Sequence, residues 1–260
     1  MRCAVVGHVE WVEFARVPRM PAAGEIVHAT RVWEEPAGGG AVVARQLALL
    51  AGRCTFHTGL GDDVLGRCSA ERLAALGVDV QVQWRASPTR RAWTHVDEAG
   101  ERTITVLGDK LLPAGPLDLA GYDLVFFVSG DVPALQSARA AGFVAATVRE
   151  LPTLQKARVP LDLLVASGND PGERYDGSLE TRHLALTDGP RGGTLDGSPY
   201  DAAPVGRIAD TYGAGDSFAA ALAFGLARGD LPDAAVELAA EAGAAVIRGA
   251  GPYERQLALS

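Results

Sequence analysis

The stretch DTYGAGDSF, residues 210–218, puts a carboxylate behind a Gly-Ala-Gly turn and at the head of an alanine-rich run. Gly213, Ala214 and Gly215 let the backbone turn tightly, so bare amide N–H groups are exposed where a helix begins. Unpaired N–H groups and the positive end of the helix dipole coincide there, which makes the turn a site for an anion. Asp216 stands at the same point. The surrounding donors are expected to hold its carboxylate ionised, ready to accept a proton from a nearby hydroxyl. The same amides can stabilise charge on a phosphoryl group in flight, and that chemistry asks for little beyond positioning and charge. For an isolated Gly-x-Gly-Asp the simpler reading is an aspartate N-cap.

The elements that would position this turn follow from hydrophobic pattern. CAVVG (3–7) reads as a buried strand, GGGAVVARQLALLAG (38–52) as a glycine turn feeding a helix, CTFHTGLG (54–61) as a core strand, and 63–77 as a second helix. Segments 8–35 and 78–107 alternate polar and apolar residues and read as a small β-rich lid, with DEAGER as a hairpin turn. The strands YDLVFFVSG, GFVAATVR, LDLLVASG and RHLALTDG follow, with helical stretches between the first three and the short SLETR stretch joining the last pair, and GRIAD (206–210) reads as a strand end. Two helices, 216–228 and about 231–248, close the chain. This order predicts one α/β domain over 1–260: a central, mostly parallel sheet with helices on both faces.

Composition narrows the classes. The 260 residues carry a net charge of −8, which argues against a broad nucleic-acid surface, so any bound phosphate needs a local site. Cys3, Cys54 and Cys68 show no CxxC spacing and read as reduced thiols; no window has membrane-spanning length and the first residues lack a signal pattern. A cytoplasmic protein without membrane or nucleic-acid partners is the expectation. Only Lys110 and Lys156 are lysines, and no Gly-Lys-Ser/Thr occurs, which excludes a Walker-type P-loop. The five histidines have no ligand spacing with cysteine or acid residues, and VVGHVEW breaks a dinucleotide fingerprint at once.

DTYGAGDSF resembles the C-terminal signature of the ribokinase-like (PfkB) family of carbohydrate kinases. Further segments are similar in the same order: the Gly-Gly stretch GEIVHATRVWEEPAGGGAVVARQLALLAG, then GLGDDVLGRCSAERLAALGVDV, then LALTDGPRGG. The resemblance implies a ribokinase-like three-layer fold with a β lid, and Asp216 as the base that deprotonates an acceptor hydroxyl. It makes Gly213, Ala214 and Gly215 the anion hole, Thr187, Gly189 and Gly192 the nucleotide side, and Gly38 and Gly39 the approach to the acceptor. ATP, Mg²⁺, in some members a monovalent cation near RGAGPY (248–253), and a homodimer through lid strands are implied with it.

The acceptor end departs from the family pattern. The usual aspartate after the first strand falls on Val12 and the usual asparagine on Val43. A site built for polar recognition loses about 1–3 kcal/mol for each buried group left unmatched. Glu10 shares the strand face of Val12 and is the candidate substitute, whereas Glu13 points away. The family's Asn-x-x-Glu positions hold Ser167 and Asp170, with Asn169 and Glu173 beside them at the wrong spacing. Asp170 and Glu173 are the candidates to order Mg²⁺ through water. Of Arg90 and Arg91, one should face inward, and Arg91 is taken as the substrate contact. The sequence thus predicts an ATP-dependent kinase of a small sugar-like molecule. A kinase of a sugar phosphate or a nucleoside, and a non-catalytic sugar or nucleotide sensor, stay open beside it.

Overall fold

The computed structural model describes residues 1–259. Thirteen strands and six helices follow one another along the chain: β1 Cys3–Val6, β2 Glu10–Arg16, β3 Arg31–Ala37, α1 Gly39–Ala51, β4 Cys54–Gly61, α2 Val64–Ala75, β5 Val78–Arg85, β6 Arg91–Val96 and β7 Arg102–Leu107. Then come β8 Leu124–Phe127, α3 Val132–Ala138, β9 Phe143–Thr147, α4 Leu151–Ala157, β10 Leu161–Ser167, β11 Thr181–Thr187, β12 Gly193–Leu195, β13 Ser198–Tyr200, α5 Ala214–Ala227 and α6 Pro232–Val246. Strands of the large sheet run in the order β13-β12-β11-β10-β9-β8-β1-β4-β5. From β11 to β5 every pairing is parallel, and β12 and β13 add an antiparallel hairpin at the edge.

Parallel strands buried on both faces read as continuous apolar runs, and β1 shows why. Cys3 and Val5 face one core with Leu47 of α1 and Phe218 and Leu222 of α5, while Ala4 and Val6 face another with Leu135 of α3 and Leu154 of α4. Helices therefore cover both faces, as the alternation of elements predicted.

The lid is a separate sheet, β3-β2-β6-β7. Its inner face packs Val12, Phe14, Ala92 and Val96 against Val42 and Tyr212, and Phe14 stacks on Trp33 at 4.8 Å. Three contacts tie the lid to the chain ahead of α5. Thr211 N–H donates to the Gly100 carbonyl at 2.9 Å, Arg102 to the Thr211 carbonyl at 2.8 Å and Arg16 to the Ala209 carbonyl at 2.6 Å.

Two expectations change here. The lid segment 78–107 is too long, because β5 (78–85) pairs in parallel with β4 and belongs to the large sheet. As its edge strand, β5 is covered on only part of one face, so its alternation looks like that of a lid strand. GRIAD is not a strand either: Ala209 and Asp210 donate their N–H groups to the Ile247 carbonyl after α6 and not to a neighbouring strand.

Candidate active site

The carboxyl ends of the parallel strands form one row, where open α/β sheets present their sites. His8 follows β1, Ser129 follows β8, Arg149 follows β9, Asp170 and Glu173 follow β10, and Gly189 and Gly192 follow β11. The N-termini of α1 and α5 meet this row from one side, and the lid covers it.

Helix α5 starts as the glycine turn requires. Gly213 is its N-cap at φ 81°, in the left-handed region that favours glycine, and Pro252 and Val42 pack where its side chain would be. The N–H groups of Gly213, Gly215 and Asp216 have no hydrogen-bond partner among the described residues, while Ala214 makes a long 3.4 Å contact to the Thr211 carbonyl. The donors available to an anion are thus those of Gly213, Gly215 and Asp216. Asp216 is not the N-cap but the third residue of the helix, so the capping alternative falls away.

Its carboxylate instead lies against the start of α1. A Cβ on Gly39 would sit 2.9 Å from Asp216 Oδ1 and 3.2 Å from Val128. Burial, reinforced by Glu173, pushes the Asp216 carboxyl up to about 6, with Arg102 and Arg149 pulling it back. This corrects the expectation that the surrounding donors hold it ionised: burial and charge set its pKa, and no hydrogen bond to the carboxylate offsets them. A carboxylate with a raised pKa is the stronger base, which suits proton abstraction near neutral pH.

The acceptor end is built from side chains. Glu10 is buried on the inner side of β2, with Arg90 Nε at 3.1 Å and His8 Nε2 at 3.7 Å from its Oε1. Burial raises the Glu10 carboxyl, opposed by Arg90, Lys110 and Arg149. His8 shares a hydrogen bond of 2.9 Å with Ser129 Oγ, and burial followed by the charges of Lys110, Arg90 and Arg149 keeps it neutral. Gly38, the N-cap of α1, lies against His8 and Glu10. Adjacent glycines therefore separate the acceptor side chains from the base. Val12 and Val43 are both fully buried in cores, as packing residues.

Arg91 is corrected: it pairs with Glu13 on the lid's outer face, its side chain 43% exposed, whereas Arg90 is 15% exposed and faces in. Strand alternation allowed either residue, and the anchor that decides precedes both. Asp63 caps α2 through the Gly66 N–H and also accepts from the Thr89 N–H and hydroxyl, which fixes the residue before Arg90.

Of the residues expected to line a nucleotide, Gly189 is exposed at the loop tip and Gly192 is buried. A side chain on Gly192 would strike the Tyr200 carbonyl, so hairpin packing alone requires that glycine. The Thr187 hydroxyl donates to the Ala166 carbonyl at 3.2 Å, joining β11 to β10. Arg191 pairs with Asp188 at the surface.

Among the described residues no three His, Cys, Asp or Glu side chains converge on a site for a metal ion. Asp170 and Glu173 do converge, because both pair with Arg149: Glu173 Oε1 at 2.8 Å from Nη2, and Asp170 Oδ2 with the same nitrogen. Hard carboxylate oxygens in a cleft suit Mg²⁺ bound through waters and substrate phosphates. The pair fits that role, with Arg149 as its present counter-ion. Arg149, Lys110 and Ser129 escaped the sequence reading, since no motif or spacing singles them out. Lys110, one of two lysines, sits 2.7 Å from Glu150.

Comparison with known proteins adds three findings. The model of the pfkB family carbohydrate kinases matches residues 1–159 and 176–257. A ribokinase of Dictyostelium discoideum is 31% identical over 106 residues, 40% of this chain, and the match covers only 33% of that protein. Two solved structures superpose over nearly the full chain. The ribokinase of Thermotoga maritima does so with TM-score 0.78 and 21% identity, covering 99% of this chain and 96% of that one. The Arabidopsis thaliana ribokinase, solved with ribose and ATP, gives 0.75 and 20%, covering 98% and 95%. At these identities the likeness is one of fold, and among the described residues no helix is long and apolar enough to cross a membrane.

Proposed function

Because the chain belongs to the pfkB family of carbohydrate kinases, we propose that it transfers the γ-phosphoryl group of ATP to a hydroxyl of a small sugar-like acceptor. One observation carries the reading: the Asp216 carboxylate lies against Gly39, while the Gly215 and Asp216 amides beside it have no hydrogen-bond partner among the described residues and Gly215 is exposed. Base, anion hole and acceptor approach thereby share one contact.

The acceptor hydroxyl enters beside Gly38 and Gly39, and its proton passes to Asp216. Its oxygen forms a bond to the γ-phosphorus while the bond to the bridging oxygen breaks and ADP leaves with that electron pair. Amides of Gly215 and Asp216 neutralise charge on the phosphoryl oxygens, a task worth about 3–4 kcal/mol per donor in comparable sites. Mg²⁺ adds charge neutralisation when bound, and Asp170 and Glu173 would hold it through water. Thr187, Gly189 and Gly192 line the nucleotide side, and the 248–253 loop, packed on Gly213 through Pro252, is the place for a monovalent cation. The lid keeps water from the phosphoryl group, which limits idle ATP hydrolysis.

Glu10, His8 and Arg90 select the acceptor. Arg90, facing inward beside a buried carboxylate, favours a second reading in which the acceptor already carries a phosphate. A homodimer through the lid strands fits the outer face, where Trp93 is 47% and Val32 72% exposed; light scattering in solution gives its mass directly. The function is tested by ADP release from Mg·ATP over a panel of free sugars, sugar phosphates and nucleosides. Stimulation by one class is expected and names it. Binding of a non-hydrolysable ATP analogue with no acceptor-stimulated ADP release would make the protein a sensor instead.

A further inference from the structure

Sheet order places one residue between the two halves of the site. His8 and Ser129, on the acceptor side, follow the neighbouring strands β1 and β8, and the nucleotide loop follows β10 and β11. Between them lies β9, and Arg149 stands just beyond its carboxyl end. Along the row of strand ends, Arg149 thus lies between the acceptor side chains and the loops that follow β10 and β11.

Arg149 is half-exposed to the cleft and held only by charge. Its Nε donates to Glu173 Oε1 at 2.9 Å, its Nη2 reaches both Glu173 and Asp170, and its Nη1 has no partner among the described residues. The same guanidinium acts electrostatically on three groups of the opposite half, Asp216, Glu10 and His8. Arg102 also acts on Asp216, but its guanidinium is committed to a backbone carbonyl and to docking the lid.

We propose that Arg149 is a catalytic residue that exchanges its two carboxylate partners for the γ-phosphoryl group when ATP binds. The proposal rests on the kinase reading above and adds a residue to it. Charge balance drives the exchange. A nucleotide brings phosphate oxygens that match the planar guanidinium fork, and its accompanying Mg²⁺ gives Asp170 and Glu173 a replacement counter-ion. Neither the arginine nor the carboxylates are left unpaired at any stage, and the transferring group gains a second side of positive charge opposite the α5 amides. Contacts of this type are worth about 10³–10⁵-fold in rate in other phosphoryl-transfer enzymes.

The test compares two nucleotides that differ at the γ position. Calorimetric titration of wild type, Arg149→Ala and Arg149→Lys with Mg·AMP-PNP and with Mg·ADP is expected to show at least a tenfold loss of AMP-PNP affinity in the alanine variant. Its ADP affinity stays within twofold, and lysine falls between. Equal losses for both nucleotides, or no loss for either, would overturn the assignment and leave Arg149 a structural counter-ion. The lysine variant carries the comparison should the alanine variant fail to fold. A wild type that binds neither nucleotide overturns the kinase reading itself, which is a different result from a wild type that binds and an indifferent Arg149.

Discussion

The two ends of the cleft are made of different material. The phosphoryl end, Gly213 to Asp216, is mostly backbone: a helix start, unpaired amides and one carboxylate. The acceptor end is an arrangement of side chains, Glu10, Arg90, His8 and Ser129, brought together from the ends of β1 and β8 and from the lid. Backbone geometry depends on few residue types, so it tolerates little change and serves any acceptor. Side-chain geometry can be rewritten one residue at a time, and here valine stands at positions 12 and 43, with the Glu10–Arg90 ion pair nearby. In the proposed kinase, reaction and substrate choice are thus separable.

Substitutions at the two ends should therefore fail in different ways. The largest effect is expected from Asp216→Asn, which removes the base and lowers kcat by about 10²–10⁴-fold with nucleotide binding kept, as calorimetry can verify. Loss of nucleotide binding in this variant would mean that Asp216 holds the turn together and is not specific to proton transfer. Gly39→Ala comes next. Its Cβ would press on Asp216 Oδ1 and Val128, so a fall of about 10²-fold in kcat/KM with an unchanged melting temperature is expected.

Arg90→Ala should act on the other half alone. It leaves Glu10 buried without its partner and is expected to raise the acceptor KM by about 10–100-fold, while Arg91→Ala, on the outer face, changes it less than twofold. Equal effects of the two arginines would break the division between the ends. Asp63→Ala, smaller still, removes an N-cap together with the Thr89 bonds. It should cost about 1–2 kcal/mol in denaturant unfolding and loosen acceptor binding through Arg90.

The same contrast explains what could be read without coordinates. Glycines at 38, 39, 213 and 215 announce where backbone must approach or turn, so the starts of α1 and α5 were legible in the pattern. The strands of the large sheet were legible from their apolar runs. β5 was not, because a partly exposed edge strand alternates as a lid strand does, and the three-residue strands β12 and β13 were too short to show a pattern. Arg90 and Arg91 were indistinguishable one residue apart, since the anchor that fixes the register is the Asp63–Thr89 contact. Asp170 and Glu173, three residues apart in one loop, were legible as neighbours. Their common partner Arg149 was missed, because its position depends on the order of strands in space and not on the order of residues in the chain.

The pH dependence of kcat/KM, which reports the free enzyme, is the sharpest test of the base assignment, with any acceptor from the panel. Burial raises the Asp216 carboxyl to about 6 and Glu173 contributes to the rise, so the protonated, inactive form accumulates as pH falls through 6. An acid limb of unit slope is expected near pH 6 in the wild type, displaced to lower pH in Glu173→Gln, where one raising charge is gone. A flat profile between about pH 5 and 8, or a limb that Glu173→Gln leaves in place, would contradict the assignment.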